Sequence, residues 1–442
     1  SGGGYVLDIL QKAHMRDFSG WYHVVWAMDT TQSTNTEKMK LYINGESVTI
    51  SPSGWPATNS DQHVNNTVAH GLGCRSTPAN YYSGYIADFH IVDGLALDHT
   101  SFGEVDGDYG HWKAKEYTGS HGTNGVHLDF SNASNLGDDA AGSNDWTQAN
   151  LSTHDKMLDT PTNNFCTLNL LDDSKFQRGT FTEGNLKFKG GSGSFVGGKN
   201  GTLYTKNKIY YEICLAIVGN QFLMWGFAPD DYHPSQSTAQ DSVYVRPGYT
   251  YNGMVNHGVA VDHSYGNCYY DGSSTVARSG GFLAGDILMM AFDPATGKFW
   301  YGKNNTWYGT GGTGNPATGA YPIATLVNLD HTWTANIGVY SPINSAVVNF
   351  GQDSAFAGYK SGGATAPDSE GYGDFYYTPP DGFLALCSKN QDDCAIKPKE
   401  HFNVITYDNG AGAKTGVGFQ PDLVWLKSRD STHAHKLTDA VR

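Results

Sequence analysis

The chain has 442 residues, 39% hydrophobic, 13% aromatic and only 16% charged, with 55 glycines and a net charge of −15. That length exceeds what a single core of ~250 residues fills, and the many Tyr, Phe and Trp beside few helix-forming runs predict β structure with very little helix. The acidic balance and the lack of a dense Lys/Arg cluster make nucleic acid and anionic membrane poor partners, and no apolar run reaches the ~18 residues that cross a bilayer.

In chain order, residues 21–29 (Trp-Tyr-His-Val-Val-Trp-Ala-Met-Asp) carry apolar groups on both faces of an extended segment, as a buried central strand requires. Residues 39–50 predict two short strands around Asn44-Gly45, a turn pair that tolerates positive φ. Residues 85–92 predict another strand, ended by Asp93-Gly94, so a first unit is placed at 1–105 and taken as incomplete at its N-terminal side. Residues 106–163 are glycine-rich and polar, with one isolated strand at 127–130, and are expected to be a connector.

A second sandwich is placed at 164–392. Its strongest strands are 209–217 and 221–227, then 286–292 and 297–301 around Asp293-Pro-Ala-Thr, where Pro294 presets φ and Gly297 takes the left-handed position. Strands at 334–339 and 346–350 follow, and 376–386 closes the unit. Residues 393–442 begin a third β pattern. The fold class predicted is therefore all-β, tandem antiparallel β-sandwiches of jelly-roll type in an elongated multidomain chain. The chain starts at Ser1 without Met and stops at Arg442 inside a patterned segment, which predicts a piece of a longer polypeptide.

Six cysteines (Cys74, Cys166, Cys214, Cys268, Cys387, Cys394) are too sparse for a disulfide framework, and buried free thiols are expected for most; Cys387 and Cys394 are spaced to close a small loop. No motif for a metalloprotease, serine hydrolase or nucleotide site is present. A β-sandwich glycosidase needs two carboxylates across the scissile bond. The nearest candidate, Glu104-Val-Asp106-Gly-Asp108, has Tyr109 where a further acid would be needed, so a solvated acidic loop is expected. Asp106 and Asp108 beside a flexible glycine also suit a calcium loop, the one metal candidate, without a full EF-hand pattern. His99, His111, His121 and His127 cluster only along the sequence, where surface or strand-packing roles are the default. Ligand contacts are expected instead from turn-borne aromatics (Trp55, Tyr81, Tyr82, Tyr249, Tyr251, Trp307 and Tyr308), because sugar rings stack on flat faces held at little rotamer cost; the competing reading is that each ring only covers a sandwich end.

Trp21-Tyr-His-Val-Val-Trp-Ala-Met-Asp, Lys40-Leu-Tyr-Ile-Asn-Gly-Glu46 and Gly84-Tyr-Ile-Ala-Asp-Phe-His-Ile-Val-Asp-Gly94 resemble the laminin-G/concanavalin-A-like jelly roll over residues 1–105. The second unit resembles SPRY domains in Tyr210-Tyr-Glu-Ile, Trp225-Gly-Phe-Ala228 and the run from Gly285 to Trp307. That resemblance implies a non-enzymatic sandwich binding protein or peptide ligands through loops at one end, with Trp225 and Gly226 structural. The combination resembles large tail or fibre proteins of marine bacteriophages. It implies a virion-surface or extracellular protein that binds host-surface glycan or protein, assembles with other virion proteins, as a homotrimer by analogy with fibres, and needs no cofactor apart from the calcium considered above. The alternatives are a structural spacer or decoration protein of the particle, and a polysaccharide depolymerase.

Overall fold

The computed structural model describes residues 15, 17, 19–52, 54–64, 66–74, 81–171, 179–190, 199–219, 223–232, 250–251, 254–255, 257–262, 266–276, 281–339, 344–393, 396–408 and 412–440. Among them the protein is all-β, and Asn35–Lys38 is a single α-helical turn. No described helix is long and apolar enough to cross a membrane.

Two antiparallel sheets form the second unit. One has six strands in the order Lys199–Asn200, Trp333–Val339, Leu223–Pro229, Val259–Asp262, Asn267–Tyr270 and Ser273–Val276. The other has eight, running Thr306–Trp307, Lys298–Lys303, Ile287–Asp293, Ile209–Ile217, Ser345–Asn349, Lys187–Gly190 and Gly179–Thr182, with Ala324–Thr325 added on Lys298–Lys303.

Alternation along Ile209–Ile217 sends Tyr211, Ile213 and Leu215 into the space between the sheets, where Tyr211 meets Phe227 and Phe227 meets Phe292, both at 5.2 Å between ring centroids. The opposite face of the same strand, with Tyr210 and Glu212, is buried too. Phe165, Phe375, Phe383, Ala385 and Cys387 cover it together with Met289, Ala291 and Trp300 of the neighbouring strands. This double burial explains why these strands read as continuous apolar runs. The segment 376–386, expected to close the unit, crosses that outer face as irregular chain tied by isolated bridges such as Ile209 to Leu384 and Phe165 to Cys387.

The first unit is built from smaller ladders. Val24–Met28, Met39–Ile43 and Glu46–Val48 form a meander whose tight turn is Asn44-Gly45, at φ 49° and 80°. Gly45 is doubly required, since a Cβ there would overlap the Trp112 ring. Gly103–Val105 pairs with Trp112–Ala114, and Phe89–Ile91 pairs with Val126–Leu128. The strand of the expected connector is therefore not isolated: 126–128 completes the first unit by pairing with a strand more than thirty positions earlier. The two units touch where the Trp21 indole N–H donates to Asp159 at 3.0 Å and Asn164 donates to the Ser19 carbonyl at 3.0 Å. Burial pushes the Asp159 carboxyl up to about 6 despite that hydrogen bond. Farther on, Leu423–Leu426 pairs with Lys436–Asp439, and Trp425 on it is 64% exposed.

Candidate functional site

The chemistry of the first unit concentrates where Phe89–Ile91 meets Val126–Leu128. His90 and His127 are direct ladder partners, so their side chains leave the same face of the pair. Their imidazoles stack with centroids 4.1 Å apart and planes 16° from parallel. His121, from the loop preceding Val126–Leu128, stacks on both, at 5.3 Å from His90 and 5.6 Å from His127.

Asp88 closes the cluster from below the first strand, in a left-handed backbone conformation at φ 52° that Asp tolerates better than most residues. Its Oδ1 lies 2.6 Å from His127 Nε2 and 3.3 Å from His90 Nε2, while His90 Nδ1 lies 3.0 Å from His121 Nε2. The hydrogen bond from His90, with that from His127, holds Asp88 down at about 2 against the opposing effect of burial. An ionised carboxylate only accepts, so both Nε2 atoms donate to it. His121 is lowered, first by burial and then by the two neighbouring imidazoles.

Beside His121 and His127 opens a cleft of about 440 Å³, lined by residues 117–123, 125 and 139–144. Asp139 braces its wall: the carboxylate accepts from the backbone N–H groups of His127 (2.9 Å), Ala141 (3.1 Å) and Asn144 (2.9 Å). Asn144 in turn donates to the carbonyls of Thr123 at 3.1 Å and Gly125 at 2.8 Å, tying the two loops together. Gly125 has no room for a side chain, because a Cβ would overlap the His121 carbonyl. The exposed side chains of this wall are the hydroxyls of Thr118, Ser120, Thr123 and Ser143 and the Asn144 amide, with the partly exposed Tyr117, His121 and His127 rings beside them.

The aromatics expected as ligand contacts are dispersed. Tyr81 and Tyr82 are exposed, at 67% and 59%, and Trp55 is half-buried. Tyr249 lies outside the described residues; the backbone of Tyr251 pairs with Met254, and its side chain also lies outside them. Trp307 and Tyr308 are packing residues: Trp307 lies 6.3 Å from Tyr210 against the outer-face cluster, and Tyr308 lies 5.4 Å from Tyr301 at the main core. Their turn-edge position in the sequence conceals that each ring folds back onto a sheet.

The calcium candidates are taken by lysines. Asp106 Oδ1 accepts from the backbone N–H of Asp108 and Tyr109 at 2.9 and 2.8 Å, its Oδ2 lies 3.4 Å from Lys113, and Asp108 pairs with Lys397 at 2.8 Å. These contacts, the backbone ones first, hold Asp106 at about 2. A second group of donors, Asp230, Asp231 and His331, sits at the rim of the second unit, where His331 Nδ1 bonds Asp230 at 2.9 Å and its Nε2 faces Asp231 at 3.8 Å.

A family model described as a domain of unknown function (DUF7483) matches residues 397–442. No curated protein matches the chain. Among solved structures the chain is similar to a human SPRY domain (14% identity, TM-score 0.26, covering 40% of this chain and 96% of that one). It is also similar to the SPRY domain of human HERC1 (14%, 0.27, 38% and 91%) and to the TRIM65 PSpry domain (14%, 0.29, 41% and 89%).

Proposed function

We propose that this chain is a recognition protein that binds a polar ligand of a cell surface, a glycan first, and does no chemistry on it. The observation that supports this reading most directly is the braced cleft of about 440 Å³ in the first unit, whose wall offers hydroxyl, amide and backbone groups beside one tyrosine ring. Sugars are held by that combination, a flat aromatic face with several fixed donors and acceptors. Preorganisation matters because a wall already tied by Asp139 and Asn144 loses little freedom when a ligand arrives. The virion-surface setting implied by the resemblance to phage tail and fibre proteins belongs to the same proposal, with the ligand then lying on the host.

The test is retention of the purified chain on candidate host cells and on a polysaccharide panel, with released reducing sugar measured in the same tubes. Saturable retention without released sugar is expected, and Ser143→Trp, which adds bulk to an exposed position of the wall, should abolish it while leaving the thermal transition in place. Released sugar would establish a depolymerase, and no retention on any surface would leave a spacer. Either result overturns the proposal.

A further inference from the structure

Three imidazoles from two strands and a loop meet at one point of the first unit. His90 and His127 stack face to face on a ladder that fixes their separation, and His121 meets His90 nitrogen to nitrogen. Asp88 has a specific effect on them. By accepting the Nε2 protons of both His90 and His127 it leaves Nδ1 of each neutral ring as the lone-pair atom. His121 adds Nε2, already 3.0 Å from Nδ1 of His90, and one nitrogen from each of the three rings lies within 4.8 Å of the others.

We infer that His90, His121 and His127 form a binding site for one divalent transition-metal ion of zinc's class, with Asp88 as the carboxylate that orients the two strand-borne rings and an open coordination position toward the cleft. Nitrogen ligands at ~2.0–2.1 Å from a tetrahedral ion stand roughly 3.4 Å apart. The His90–His121 pair, at 3.0 Å, is a few tenths of an ångström short of that value, and all three nitrogens lie within 4.8 Å of one another. Imidazole nitrogen is the donor that zinc, copper and nickel favour, whereas calcium and magnesium take oxygen. A carboxylate hydrogen-bonded to the distal nitrogen of a ligating histidine is the usual second layer of such sites.

Two features argue for an ion over a plain hydrogen-bonded stack. The donors are three and convergent, which a single proton shared between His90 and His121 does not require. In addition, His121 and His127 both reach the wall of the cleft, so that a fourth ligand, water or a hydroxyl of a bound molecule, has a route in. The Asp230, Asp231 and His331 group is equally close-set but offers a single imidazole, both of whose nitrogens face carboxylates, beside two exposed acids, a set that suits a zinc-class ion less well than three imidazoles. It therefore serves as an internal control. The metal site does not depend on the identity of the ligand proposed above.

The experiment uses the full chain, stripped with a chelator and dialysed, then titrated calorimetrically with zinc chloride and, in parallel, with cobalt(II) while its visible absorption is followed. One ion per chain is expected, with the intense cobalt bands of a four-coordinate site. His121→Ala should weaken zinc at least 100-fold, Asp88→Asn, which keeps the turn, by about 10–100-fold, and His331→Ala not at all. Weak zinc uptake spread over many histidines, or a site sensitive to His331→Ala and indifferent to His121→Ala, would overturn the proposal. Should His121→Ala fail to fold, X-ray absorption of the zinc-loaded native chain decides: three imidazoles are expected, and two or fewer refute the site.

Discussion

The hydroxyl of Tyr210 donates to Glu212 Oε1 at 2.8 Å on the outer face of the eight-stranded sheet, two residues along one strand and both fully buried. The same carboxyl also accepts from the backbone N–H groups of Tyr376 and Tyr377, each at 2.8 Å, and so fastens the covering segment to the sheet. Burial nevertheless pushes it up to about 7, since those donors only partly replace water around a charge. A folded pKa above the unfolded one means that the folded protein holds the proton more tightly between the two values. Stability is then greatest below about pH 4.5 as far as this group is concerned, and it falls as pH rises through 7, by about 3 kcal/mol in total. Asp159, raised to about 6, acts in the same direction. Urea midpoints at pH 5 and pH 8 should show the decline, and Glu212→Gln should remove most of the slope. The variant should also be less stable at pH 5 by about 1–3 kcal/mol, because its amide N–H₂ meets a donor. An unchanged slope in Glu212→Gln would refute the assignment to this group.

Gly226 sits in the middle of Leu223–Pro229, between Trp333–Val339 and Val259–Asp262, and its carbonyl accepts from the Tyr211 hydroxyl at 2.7 Å. A Cβ on it would overlap the Val259 carbonyl, which is backbone held in the ladder and cannot turn aside. Gly226→Ala should therefore cost about 1–3 kcal/mol, read as a lowered thermal midpoint of the whole second unit. A loss below 1 kcal/mol would mean that the two strands can part locally.

The sheets of the second unit were legible because their strands are apolar on both faces, a pattern independent of distant contacts, and Asn44-Gly45 and Asp293 to Gly297 announced their turns by residue type alone. What covers the outer face was not legible, since 366–387 has no ladder periodicity and earns its place through single bonds to Glu212 and through Phe375 and Phe383. The histidine cluster was hidden for a different reason. It depends on the register His90 to His127 and on a loop that returns His121 to the same spot, and neither is encoded by spacing along the chain. Conversely, Trp307 and Tyr308 looked exposed because they adjoin a turn, whereas the turn itself folds them inward.

Asp139 holds three backbone amides of the cleft wall. Replacing it by Ala would leave the amides of His127, Ala141 and Asn144 without their acceptor, a loss of about 2–4 kcal/mol for groups that are only partly reached by water. Hydrogen exchange should accelerate at those three amides in Asp139→Ala while amides of Ile209–Ile217 keep their protection. Uniform acceleration through both units would show that the cleft wall and the sandwich unfold together.

Among the five described cysteines, reactivity should separate the buried thiols from the half-exposed Cys74. Cys166, Cys214, Cys268 and Cys387 are buried and Cys74 is half-exposed, all of them free. Burial pushes Cys166 and Cys214 up to about 11 and raises Cys268 and Cys387 as well, so little thiolate is available at pH 8 even to a reagent that reaches them. Iodoacetamide at pH 8 followed by peptide mapping should therefore label Cys74 alone among these five in the native chain, and all five after denaturation without reductant. The second half of that expectation bears on the small loop weighed between Cys387 and Cys394, the latter outside the described residues. Cys387 packs against Phe165 in the outer-face cluster as a free thiol, so it should react as soon as the chain unfolds. Labelling of Cys387 only after reduction would instead place it in a disulfide and reverse that assignment.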